Sequence, residues 1–412
     1  MSSMNIDDQV NMLMQGTEYG DEELKAAMGK ELRARLEKAE AQGRKLRVYC
    51  GFDPRTSDLH LGHMVPIRKL HQFQQLGHEV IFLVGRYTSL IGDPSDKDKL
   101  RPQITLEEAT ANAETYAEQA FHLLDPSKTR IEFNDQWLAE LTFKHLIDAA
   151  SNFTVQQFLS RETFRKRFDD GDPIFLHEFF YALMQAYDAY HLQTDVQVGG
   201  TDQLFNIVTA ARKLMEAKGA GPNVAIILGI LPGTDGEVKM SKSLGNHIPL
   251  MASAEDMYGK VMSVPDKAMG DYFRLATRWD PDTIAELEEE LKSGEAHPRD
   301  VKMRLAREIT SIYHGEEEAA EAEAAFERVF QQGESPEDME SFQLRPELSL
   351  LDLMMEADLA PSKSQARRLI DQNAVRLDGE TLGDPYQVLE LAEPAVLQVG
   401  KRRFRQLLPA KE

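Results

Sequence analysis

The run LRVYCGF at 46–52 ends on the breaker pair Asp53-Pro54, and a wholly apolar run, VIFLVG, follows at 80–85. Between them lie His60-Leu61-Gly62-His63 and a stretch of helical character. Two apolar strands joined by a helix-length crossover pair in parallel, and helices then cover both faces of the sheet. The pattern predicts an α/β fold with a Rossmann-like parallel sheet. It also puts the loop at 53–63 at the carboxyl end of the first strand, where open parallel sheets hold their ligands.

The alternation continues with a helix near 106–124, a strand at 129–133, helices through 176–192 and 202–218, and a buried strand VAIILGI at 224–230. A helix over 21–42 precedes it, with opposite charges at helical spacing. From 254 to 330 the chain reads as helices with solvated acidic runs such as Glu316-Glu317-Glu318. QQGESPEDMESF, at 331–342, has the composition of a connector, and beyond it two short helices precede the strand and turn signals VRLDGETL and AVLQVGKRRFRQLL. The expected division is a catalytic domain at 1–250 with an N-terminal helical segment at 1–45, a helical domain at 251–335, a linker at 336–347 and a small α+β unit at 348–412.

The chain of 412 residues has a single cysteine, Cys50, which excludes an intrachain disulfide and a cysteine zinc site. No apolar run approaches the ~20 residues of a membrane-spanning helix, and the N-terminus lacks a secretion signal's regions. A cytoplasmic protein without a membrane role is expected. A net charge of −22 excludes a protein that coats nucleic acid non-specifically. Residues 346–412, however, carry nine Lys and Arg against eleven Asp and Glu, so nearly all of that charge precedes them. The tail, with its cluster Lys401, Arg402, Arg403 and Arg405, is the first candidate for touching RNA.

Two motifs carry chemistry. In the histidine loop, Gly62 lets a nucleotide approach the backbone at a helix N-terminus, and His60 and His63 can donate to phosphate oxygens. Alone, two histidines three apart could equally ligate zinc or pack structurally. The second motif is Lys239-Met240-Ser241-Lys242-Ser243 in the Gly-rich loop LPGTDGEVKMSKSLGN. Two lysines there can close over the outer phosphates and neutralise a pyrophosphate leaving group. Separately, Tyr181, Gln185 and Asp188 are spaced four and three apart, so one helix face carries all three.

Taken together, HLGH and KMSKS resemble the paired HIGH and KMSKS signatures of the class I aminoacyl-tRNA synthetases. YCGFDP at 49–54, LIGDPS at 90–95, QAYD at 185–188 and GGTDQ at 199–203 match the tyrosyl branch in order, over nearly the whole chain. A tryptophanyl enzyme would not need a carboxylate aimed at a phenol, and a pantothenate-synthetase-like ligase would not explain the tail. The resemblance implies ligation of L-tyrosine to tRNA(Tyr) with ATP and Mg2+, by a homodimer, with no tightly bound cofactor and no protein metal site. It places Asp188 and Tyr49 on the substrate phenol, Tyr181, Gln185 and Asp93 on its α-ammonium, and Gln203 in the same pocket. ATP falls to Gly51, Asp53, Gly62, Gly200, Asp202 and Lys242, with Asp202 at the ribose. Without the resemblance Asp202 reads as a helix N-cap. Lys97 and Arg101 resemble mobile pyrophosphate contacts, or simply belong to a solvated loop. Arg55 departs from the pattern, since the family commonly has threonine directly after the proline. PSKSQARRLI, at 361–370, resembles the RNA-binding domain named after ribosomal protein S-four, with Arg367 and Arg368 on its helix.

Overall fold

The computed structural model describes residues 4–54, 59–96, 104–331, 339–400 and 403–410. The chain forms two compact units, residues 1–320 and 321–412.

The first unit is built on five parallel strands, β1 (Arg47–Phe52), β2 (Glu79–Val84), β3 (Thr129–Phe133), β4 (Val196–Gly200) and β5 (Val224–Leu228), in the order β3-β2-β1-β4-β5. β5 is buried at every position and β2 at all but its first, as a sheet covered on both faces requires. The order reverses direction between β1 and β4. That switch point opens a crevice at the strands' carboxyl ends.

Helix Leu61–Gln75 leaves β1 through the histidine loop, and helix Leu176–Leu192 leads into β4. The latter is anchored by an ion pair sealed from water: Arg167 donates both guanidinium arms to Glu178, at 2.6 and 2.9 Å. The stretch expected as one helix at 202–218 instead forms a 3-10 turn at Thr201–Gln203, a π-helix at Phe205–Ala211 and an α-helix at Arg212–Ala217. The wider π winding is the kind of irregularity that collects at functional sites. Further on lie helices Ala254–Met262, Met269–Ala276, Pro281–Ser293 and Pro298–His314. The third starts with Asp280 as N-cap and Pro281 in the first turn, where its missing N–H costs nothing.

The second unit has a mixed sheet, β6 (Ser341–Gln343), β7 (Val375–Leu377), β8 (Glu380–Thr381), β9 (Ala395–Val399) and β10 (Arg403–Leu408), in the order β6-β10-β9-β7-β8. Helices Leu350–Glu356 and Lys363–Asp371 pack on it around Leu353, Met354, Ile370, Val375 and Leu397. The β7–β8 turn is Asp378-Gly379, both at positive φ (48° and 88°), which is the backbone a two-residue hairpin needs. β6 lies inside the stretch expected as linker. Three residues are too few for a readable alternation, and its pairing with β10 is set from more than sixty positions away.

Candidate active site

A cleft of about 520 Å³ opens at the carboxyl ends of β1 and β4. Its lining includes Tyr49, Gly51, Asp53, His60, Gly62, His63, Asp93, Tyr181, Gln185, Asp188, Gly200, Asp202, Gln203 and Lys239. These residues come from both halves of the sheet and from six separate stretches of chain.

At one end sits Asp188, 2% exposed. Trp137 Nε1 donates to one carboxylate oxygen at 2.7 Å and Asn134 Nδ2 to the other at 3.1 Å. Burial pushes this carboxyl up to about 8, against the pull of those two donors, and the charge of Asp53 adds to the rise. Tyr49 is fully buried beside it, and its hydroxyl donates to the Gln185 backbone carbonyl at 3.4 Å. Burial and the neighbouring Asp188 raise that hydroxyl well above the ordinary phenol range. The Gln185 side-chain oxygen is buried with no hydrogen-bond partner among the described residues. A polar pocket with an acceptor still open is suited to a ligand that brings donors.

Just past β1, Asp53 accepts from Thr88 Oγ1, in the turn after β2, at 2.7 Å and from the Tyr181 hydroxyl at 3.0 Å. A side chain at Gly85 would collide with both Asp53 and Thr88 at 2.3 Å, so only glycine permits this joint. Asp93 accepts from the Ser95 backbone N–H (2.8 Å) and hydroxyl (2.6 Å) on one oxygen and from Gln203 Nε2 (2.5 Å) on the other. At Gly200 a Cβ would lie 2.7 Å from the Asp202 carboxylate and would push it from its place over the end of β4.

The opposite end is built by the histidine loop. The rings of His60 and His63 lie 3.8 Å apart, and the His60 backbone N–H donates to His63 Nδ1 at 3.2 Å. That bond makes Nδ1 an acceptor and leaves the His63 ring proton on Nε2. Burial, with help from His63, His247 and Lys239, lowers the His60 imidazole to about 3. At neutral pH His60 therefore offers one N–H and no positive charge. A Cβ at Gly62 would stand 3.1 Å from the His60 ring and 3.5 Å from Met240, so glycine lets the two signature loops come together here. Lys239 Nζ donates to Asp202 Oδ2 at 3.1 Å. Lys242 opens the 3-10 turn Lys242–Leu244, just past the cleft's lining residue Ser241. Asn246 braces this loop by accepting from the Ser241 backbone N–H at 2.8 Å. Lys97, Arg101 and Arg55 lie outside the described residues.

The sequence model of the family described as "tRNA synthetases class I (W and Y)" matches residues 41–331, and that of the tyrosine–tRNA ligase SYY-like C-terminal domain matches 330–404. A tyrosine–tRNA ligase of Moorella thermoacetica is 50% identical over 378 residues, covering 92% of this chain and 91% of that protein. One of Salinibacter ruber is 43% identical over 410 residues, covering 98% and 97%. The chain belongs to the tyrosine–tRNA ligase family. It is an aminoacyl-tRNA synthetase, with ATP as co-substrate. Solved structures share the fold: a tyrosyl-tRNA synthetase of Archaeoglobus fulgidus complexed with L-tyrosine has a TM-score of 0.58 at 24% identity, covering 77% of this chain and all of that one. A C-terminally truncated mitochondrial enzyme of Aspergillus nidulans has a TM-score of 0.61 at 23% identity, covering 78% and 94%.

In the family's C-terminal domain, Arg367 and Arg368 are both exposed on helix Lys363–Asp371. Arg367 lies over the exposed ring of Tyr386, 5.3 Å from its centroid, and donates to its hydroxyl. The basic cluster near the C-terminus needs a correction. Arg403 Nη1 donates to the Leu359 carbonyl at 2.6 Å, and Arg405 donates to the Ala357 carbonyl at 2.6 and 3.0 Å and pairs with Glu340. Arg405 satisfies the carbonyl of Ala357, the C-cap of helix Leu350–Glu356, and Arg403, though exposed, is tied to a carbonyl of the turn that follows it. Lys401 and Arg402 lie outside the described residues.

Asn134, Trp137, Thr88 and Arg161 do not stand out in the sequence. They reach the site carboxylates from three segments: Asn134 and Trp137 from the N-cap and body of helix Asp135–Leu138, Thr88 from the turn after β2, and Arg161 from the start of helix Glu162–Asp170. The one local signal is that Trp137 is one of only two tryptophans in the chain.

Proposed function

We propose that this cleft binds L-tyrosine with its phenol at Asp188 and Tyr49 and its α-ammonium at Asp93, Tyr181 and Gln185, with Gln203 closing the pocket. ATP then lies over Gly51, Asp53, Gly62 and Gly200, its ribose at Asp202 and its phosphates toward His60, His63 and the two loop lysines. The observation that carries this reading is Asp188, a buried carboxyl lining the cleft and held by donors from Trp137 and Asn134. A tyrosine carboxylate oxygen then attacks the α-phosphorus, the bond to the bridging oxygen breaks and pyrophosphate leaves. The catalytic contribution is position and charge: N–H donors from His60 and His63, and cations from Lys239, Lys242, Lys97 and Arg101. In the second step a hydroxyl of the terminal adenosine of tRNA attacks the adenylate carbonyl and AMP departs. Mg2+ would arrive with the triphosphate. Among the described residues no group of three or more His, Cys, Asp or Glu is placed to hold a metal, so no residue is assigned to it.

A homodimer fits the segment 143–176, which exposes Phe143 (76%), Leu176 (71%), Ile147, Val155, Phe168 and Phe175 over one shared core. An apolar run of that size marks an interface. The buried lone cysteine suits a cytoplasmic place, and no helix of the described residues is long and apolar enough to cross a membrane. The functional division follows the ranges 1–250 for activation, 251–335 toward the anticodon side and 348–412 for RNA.

The test is ATP–pyrophosphate exchange screened over all amino acids, without tRNA. Exchange with tyrosine alone is expected, and exchange with tryptophan instead would overturn the assignment. In the same assay Lys242→Ala should lower kcat by about 30-fold while the tyrosine KM stays within about twofold, because a closing loop acts on the transition state. An unaltered kcat would remove Lys242 from the leaving-group role.

A further inference from the structure

Asp93 uses its two oxygens differently. One is occupied on the scaffold side by the Ser95 backbone N–H and hydroxyl, and Arg161 stands 3.5 Å from that same oxygen. The other faces Gln203 and the cleft. Arg161 is itself almost sealed from water, its side chain 4% exposed, and its guanidinium also donates to the Ser95 hydroxyl. Its guanidinium carbon lies over the rings of both Phe164 and Phe205, 5.2 Å from each centre. A buried cation held by two rings, one serine and one carboxylate has little freedom to reorient, so it can fix the carboxylate in turn.

We infer that Arg161 is a positioning residue for substrate ammonium recognition: it locks one oxygen of Asp93 so that the other is presented to the α-ammonium of tyrosine. This rests on the reading that Asp93 receives that ammonium. The arrangement also explains why a cation can sit next to a cation-binding carboxylate. Arg161 is confined to the far oxygen, and the cleft-side oxygen keeps its capacity to accept.

The test compares three ligands on the full-length protein: tyrosine, tyramine (ammonium, no carboxylate) and 3-(4-hydroxyphenyl)propanoate (carboxylate, no ammonium). Binding is read by calorimetry. Arg161→Met should weaken tyrosine and tyramine by about 30-fold and leave 3-(4-hydroxyphenyl)propanoate within about threefold. Retained binding of the last ligand doubles as proof that the pocket is folded. Arg161→Lys keeps the charge without the fork and should lose less, in the same selective pattern; it carries the test alone should the Met variant not fold. Equal weakening of all three ligands means a merely structural arginine and overturns the inference, as does no weakening at all. Asp93→Asn separates the two levels. If it shows no selective loss of tyramine, the ammonium reading of Asp93 falls and the inference with it. If it does and the Arg161 variants do not, the inference alone falls.

Discussion

Asp188→Ala should reduce kcat/KM for tyrosine by roughly 10²-fold and bring it close to the value for phenylalanine. The carboxyl is buried and is shaped by two N–H donors, so a phenol that enters there loses water and depends on Asp188, with Tyr49, for its hydrogen bonds. Leaving a buried phenol hydroxyl without its partner costs up to about 3 kcal/mol, which corresponds to roughly 10²-fold in rate. Phenylalanine makes no such bond and should lose far less, so the two specificity constants converge. Pyrophosphate exchange with each amino acid measures both. An unchanged ratio would leave Asp188 a structural acceptor for Trp137 and Asn134 and nothing more.

The same residue should leave a mark on stability. With the carboxyl pushed up to about 8 in the folded protein, the folded state holds a proton that the unfolded chain, with its ordinary value of 3.8, releases across that interval. The folded state binds more protons in that window, so Asp188 adds stability below about pH 4 that is lost as pH rises toward 8. Asp188→Asn cannot titrate. Melting temperatures taken without tyrosine should thus move in favour of the variant as pH increases from 4 to 8, and a constant difference would contradict the burial argument.

What is legible in the sequence divides from what is not along a physical line. Tyr181, Gln185 and Asp188 share a face by helical spacing alone, whereas Asp202 and Gln203 are legible only through the family resemblance, since the turn after Gly199-Gly200 by itself makes Asp202 a helix N-cap. The strand–loop–helix–strand start is legible because apolar runs of strand length separated by a crossover have few other folds. Arg161, Asn134 and Trp137 are not, since what makes them matter is which carboxylate they meet, and that is decided by the order in which strands pair. The π winding at Phe205–Ala211 has no composition of its own. Arg403 and Arg405 mislead for a related reason. As written they form a basic cluster, but on a strand alternate residues share a face, and that face meets the end of helix Leu350–Glu356.

Ending the chain at residue 331 should separate the two half-reactions. The cleft draws every described residue from the first unit, and the second unit's sheet and core begin beyond helix Glu316–Gln331, so ending the chain after that helix removes no residue of the cleft. A cut at 348 would be worse placed, because it would leave Ser341–Gln343 without the strand it pairs with. Tyrosine-dependent pyrophosphate exchange should remain within about twofold of the full-length value, which also certifies that the truncated protein is folded. Aminoacylation should fall by about 10²-fold or more, because most of the net charge of −22 precedes residue 346 and an acidic body holds polyanionic RNA poorly. With Arg403 and Arg405 committed to backbone carbonyls, the tRNA phosphates are expected to be met by the exposed face that carries Arg367 and Arg368. Arg367→Ala combined with Arg368→Ala in the full chain should therefore reproduce part of the fall and flatten the salt dependence of tRNA binding by a slope of about 2, one per phosphate released. Arg403→Ala would instead lower the second unit's melting temperature. If the truncated chain charges tRNA at the full rate, tRNA is held by the first unit alone, and the neutral tail has some other purpose.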